Sequence, residues 1–161
     1  MTTTFVTENQ TAHLKAALAL TGSLGFMADA RAVATYRKGK EGDGEQIAAI
    51  AVFECFRGGR AEMHFGMAEG HRLTPETIQG IVMLAFHPKA FDLERLVARV
   101  PVWNREAIAL LVRIGFEVEY RDRSSVAHGG DAIVLSIARD DIAGGKVSAA
   151  PQPDPTPAEG E

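Results

Sequence analysis

The stretch LERLVARVPVWNREAIALLVRIGFEVEYRDR, residues 93–123, decides the reading of the whole chain. Residues 96–100 form a strand-like run, and Pro101 behind it lacks the N–H that an interior ladder needs. Asn104 offers a side-chain oxygen to the orphan donors of a helix start, and apolar residues follow at helical spacing. Gly115 supplies the left-handed residue that ends such a helix, and residues 117–121 read as a second strand. Strand, capped helix and strand in so short a span predict a βαβ unit, which requires a sheet with covered faces.

Composition narrows the setting. A chain of 161 residues supports one domain with a sizeable core and is short for two. The net charge of −4 supplies no basic field, so nucleic-acid binding through phosphate neutralisation is not expected. Cys55 is the only cysteine, which excludes an internal disulfide and a zinc site built on several thiolates; no metal is expected. Flanked by Glu54 and Phe56 in an apolar run, it reads as a buried, inert thiol. The opening MTTTFVTENQ has no basic segment ahead of an apolar one, and no run approaches the ~18 apolar residues of a membrane span. A cytoplasmic setting without membrane attachment is the expectation.

Outward from residues 93–123, the remaining elements are marked by the same signals. Residues 4–7 are β-prone, and Thr11 is placed to cap a helix with Leu14, Ala17, Leu18 and Thr21 on one side. Residues 32–37 and 47–56 read as strands joined by the charged turn KGKEGDGE, the second nearly continuous in apolar residues as a strand covered on both faces would be. In residues 60–68, Glu62, His64 and Gly66 fall on one side and Met63, Phe65 and Met67, expected in the core, on the other. Thr74 then precedes Pro75 as a helix cap, and Ile78, Ile81, Val82, Ala85 and Phe86 lay an apolar stripe that ends near His87-Pro88. Residues 132–138 form a last strand, expected to pair antiparallel with 117–121. The fold class is α/β (α+β): a mixed, mostly antiparallel sheet with helices on its faces and crossovers at residues 74–87 and 104–114, both expected to be right-handed. Residues 1–142 are expected to form a single domain, and residues 143–161, rich in Pro, Ala and acid, a disordered tail.

The order of elements, together with NREAIALLVRIGFEVEYRDR, resembles the GNAT superfamily of acyl-CoA-dependent N-acyltransferases; the matching residues are Asn104, Ala107, Arg113, Gly115 and Phe116, then a strand with Glu119 and Arg121. EMHFGMAEGHRLTPE and AFHPKAFDLERLVARV resemble small members found in bacteriophage and prophage gene clusters. The resemblance, over residues 30–140, implies acetyl-CoA or another acyl-CoA as cosubstrate and a small-molecule or protein amine as acceptor. It also implies a splayed parallel strand pair, here residues 60–68 and 95–100, whose open backbone takes the pantetheine arm as an added strand. The pyrophosphate is implied at the turn 71–77, where a helix start favours anions. On that basis Phe65, Met67, His71, Arg72, Leu73, Thr74 and Asn104 are the expected coenzyme-binding residues.

Two positions depart from the family pattern. The turn EGHRLTPET replaces a loop rich in Gly and basic residues, with Pro75 deleting an N–H and Glu76 adding a negative charge; Leu111 stands where many members carry a tyrosine that protonates the departing thiolate. Glu62 and His64 are the candidates to remove the amine proton, with Glu54 a third; their other readings are a solvent-facing acid and a structural histidine. Trp103 reads either as a packed aromatic or as part of an acceptor groove, and Ser124, Ser125 and His128 read as a turn. An acyltransferase is therefore expected, possible as a homodimer or phage particle component, and the alternative is a degenerate binding or virion-associated module of the same fold.

Overall fold

The computed structural model describes residues 3–38, 44–124 and 130–143. The apex of the first hairpin, Ser125, His128 and all but the first residue of the expected tail lie outside them. The elements run β1 (Thr4–Val6), α1 (Gln10–Thr21), β2 (Arg31–Lys38), β3 (Glu45–Arg57), β4 (Arg60–Met67), α2 (Pro75–Phe86), β5 (Arg95–Pro101), α3 (Arg105–Arg113), β6 (Glu117–Asp122), β7 (Ala132–Ala138) and α4 (Arg139–Ala143). The sequence pattern finds all of these except the short α4. Gln10, not Thr11, opens α1, with Asn9 left-handed at φ 52° before it.

The strands make one sheet in the order β1-β2-β3-β4-β5-β7-β6. Every neighbouring pair is antiparallel except β4 and β5. Residues 93–123 form the expected βαβ unit, with β5 and β6 parallel, but its strands are not neighbours: β7 lies between them, antiparallel to both. Local signals specify strand and helix; which strands become neighbours is decided by the last strand, which arrives after the unit is complete.

One face of the sheet carries the larger core. Val33, Phe53, Met63, Leu96, Ala98 and Leu135 pack there against the apolar stripe of α2, against Leu111 of α3 and against Ile114 just past its end. On the other face Ala17 of α1 packs against Ala32, Ala34, Ile50 and Val52. The second contact is close because both sides are small: a Cβ on Gly66 of β4 would stand 2.6 Å from the backbone carbon of Leu20. β3 is buried on both faces over its middle, as its unbroken apolar run requires.

Candidate active site

Parallel pairing of β4 with β5 runs from Arg60↔Arg95 to Met63↔Ala98 and then stops. β4 continues to Met67 alongside β3, and β5 continues to Pro101 alongside β7, so the two strands part and leave facing backbone edges unpaired. Pro101 suits this edge because it has no N–H to leave unsatisfied. The wedge opens into a cleft of about 960 Å³ bounded by β4, β5, the turn ahead of α2 and the exposed flank of α3.

Six of the expected coenzyme residues line this cleft: Phe65, Met67, His71, Arg72, Leu73 and Asn104. Phe65 and Met67 are half-buried, whereas Met63 is in the core. Thr74 is not on the wall. Its hydroxyl caps α2 by accepting from the Thr77 N–H at 3.3 Å, the role its place before proline predicts. Asn104 caps α3 in the same way, its Oδ1 accepting from the Ala107 N–H at 3.3 Å. Arg37 of β2 was not legible as a site residue: it donates to Thr77 Oγ1 at 2.8 Å, which brings a guanidinium to the first turn of α2, although Arg37 itself does not line the cleft. Nothing in the local sequence around 37 marks it, because the two segments meet only across the sheet.

Glu62 and His64 project from the opposite face of β4, toward α1, as the alternation predicts. Glu62 is half-buried and bonded to Arg99 of β5 at 3.2 Å, and Arg99 also binds Asp122 of β6. Arg99 lines the cleft, so this ion-pair network stands at the vertex of the wedge. The hydrogen bond that Arg99 donates to Glu62, then the carboxylate charges of Glu62 and Asp122, hold the Arg99 guanidinium firmly protonated against its partial burial. His64 is the first β4 residue past the paired segment, and its Nε2 lies 2.7 Å from Oε1 of the buried Glu54. The carboxylate oxygen is off the ring N–H axis, so Nε2, sealed from solvent, has ion-pair distance without hydrogen-bond alignment.

Two expectations are corrected. Cys55 is exposed: β3 bulges between Glu54 and Arg57, and Cys55 takes a left-handed φ of 58° that turns it out of the apolar run. Partial desolvation, then the carboxylates of Glu62, Glu54 and Asp29, push its thiol up, which keeps it protonated. Trp103 is 73% exposed and so is not a packed aromatic. Leu111, by contrast, is buried in the core while touching the cleft. Among the described residues, no cluster of three or more His, Cys, Asp or Glu is placed to hold a metal, and no helix is long and apolar enough to cross a membrane.

No protein-family model matches the chain, and no curated protein matches it. Solved structures do. A point mutant of spermidine N-acetyltransferase SpeG from Vibrio cholerae superposes with a TM-score of 0.69 at 14% identity, over 86% of this chain and 95% of that one. IAA acetyltransferase from Bacillus cereus gives 0.68 at 14% identity, over 85% and 99%. A dodecameric spermidine N-acetyltransferase from Vibrio cholerae gives 0.60 at 16% identity, over 71% and 68%.

Proposed function

We propose that this chain, which has the GNAT fold, is an acyltransferase that moves an acetyl or similar acyl group from acyl-CoA to a primary amine by direct attack. The observation that carries the reading is the wedge between β4 and β5. It presents unpaired strand edges to an extended, amide-bearing chain such as pantetheine, with Arg72 and Arg37 near the α2 start where a pyrophosphate would lie. Glu76 opposes this with a negative charge in the first turn of α2. The solved neighbours named as N-acetyltransferases support acyl transfer to amines in general.

On this reading the wedge aligns the thioester at its vertex, and the amine approaches from the α1 face, where His64 takes the proton released as the N–C bond forms. Leu111 has no proton to give, so the departing thiolate is protonated by water. Calorimetric titration with acetyl-CoA tests the reading: saturable binding is expected, weakened roughly 10- to 150-fold in Arg72→Ala by loss of one phosphate contact of about 1.5–3 kcal/mol. A folded protein that gives no heat at millimolar ligand would overturn it.

The second reading is a binding or phage-associated module of the same fold without turnover, which the buried Leu111 and the acidic α2 start favour. Thiol release from acetyl-CoA with any member of a primary-amine panel removes it.

A further inference from the structure

Glu54 and Glu62 stand directly opposite each other on β3 and β4, a like-charge pairing that is unfavourable unless each carboxylate finds its own partner. Glu62 has both oxygens engaged by Arg99, at 3.2 and 3.4 Å. Glu54 is committed elsewhere. Its Oε2 accepts from the Met27 N–H at 2.6 Å, and its Oε1 faces His64 Nε2 at 2.7 Å. His64 pairs with Val52 in register, so Glu54 reaches it diagonally across the two strands.

The backbone around Glu54 is built for this contact. The bulge after Glu54 re-aims the strand, and Asp29 pins it by accepting from the N–H groups of Cys55 and Phe56 at 3.2 and 2.8 Å. Met27 and Asp29 belong to the same loop, which therefore grips both Glu54 and the bulge that aims it. Phe26 of that loop lies against the imidazole, ring centroids 5.9 Å apart. No other described hydrogen bond or ion pair reaches His64 Nε2.

We propose that Glu54 is the positioning residue for His64: it fixes the imidazole tautomer with the proton on Nε2, leaving the Nδ1 lone pair to accept the amine proton. The proposal rests on the acyltransferase reading for the identity of the proton donor. As the bond from the amine nitrogen to the carbonyl carbon forms, the nitrogen's proton goes to Nδ1. The C–S bonding pair leaves on sulfur, and the thiolate is protonated by water.

The test joins a spectrum to a rate. In 15N–1H correlation spectra of the ligand-free protein, His64 is expected to carry its proton on Nε2. In Glu54→Gln the negative charge facing Nε2 is lost and an amide N–H can point at the ring in its place, so the proton is expected on Nδ1, while the Gln oxygen can still hold the Met27 N–H. With acetyl-CoA and the fastest amine of the panel, Glu54→Gln is expected to lower kcat about 10-fold or more, part of the roughly 10²–10⁴ that a general base contributes, with acetyl-CoA affinity unchanged. Glu62→Gln is expected to lose less. Should Glu54→Gln not fold, Glu54→Asp keeps a carboxylate and is expected to keep the wild-type tautomer with a smaller loss of kcat. A wild-type ring with its proton on Nδ1, or a tautomer switch that leaves kcat unchanged, overturns the proposal. Wild-type protein that acetylates no amine overturns the acyltransferase reading itself, whatever the tautomer.

Discussion

At the residue scale, Cys55 shows how one backbone angle reverses what the neighbouring side chains advertise. It sits in an apolar run, yet its left-handed φ turns it to solvent among three carboxylates. Exposure would favour reaction, whereas partial desolvation and then the surrounding negative charge disfavour the thiolate that reacts. The raised thiol pKa decides at neutral pH. Alkylation by iodoacetamide is therefore expected to run several-fold slower than that of a free cysteine at about pH 7.5, closing the gap as pH rises; because Cys55 is the only thiol, mass spectrometry reads it directly. Glu62→Gln removes one of those charges and is expected to speed the reaction. A rate equal to free cysteine across the pH range would show that the carboxylates do not reach the sulfur.

At the element scale, the contact of α1 with β4 fixes the face of β4 that carries Glu62 and His64. Gly66 is the point of closest approach, and an added Cβ meets backbone atoms of Leu20 that no rotamer change can move aside. Gly66→Ala is expected to cost about 1–3 kcal/mol, read from urea or thermal unfolding, because α1 must shift away from the sheet. Gly25→Ala, where a Cβ meets nothing within 4 Å, serves as the contrast and is expected to stay within about 0.5 kcal/mol. If both variants unfold alike, the close packing of α1 is not what limits that position. The capped starts of α2 and α3 were legible at this scale, since Thr74 and Asn104 act on N–H groups only three residues ahead.

At the scale of the whole molecule, the two arms of the wedge belong to different parts of the sheet, β4 to the antiparallel run that begins at β1 and β5 to the group closed by β7 and β6. A ligand that adds itself between them bonds to both and so resists their separation on unfolding. Acetyl-CoA at about 100 times its Kd is expected to add ~2.7 kcal/mol of stability, a rise in Tm of roughly 5–10 °C measurable by scanning calorimetry. A Tm unmoved at that ratio would mean that the ligand does not bind the folded chain in preference to the unfolded one. The sequence by itself determined the strands, the three longer helices, the caps of α2 and α3, and the alternation that sends Glu62 and His64 to one face of β4 and Phe65 and Met67 to the other, because each of these follows from spacing or from contacts within one turn. Resemblance supplied the splay as an expectation, and the register of β4 on β5 locates where it begins. Only the tertiary structure decided that β7 separates β5 from β6, that Arg37 reaches the α2 start, and that Arg99 takes Glu62 while Glu54 faces His64. Each of those joins different elements, and their meeting depends on strand order, register and a bulge that no local pattern encodes.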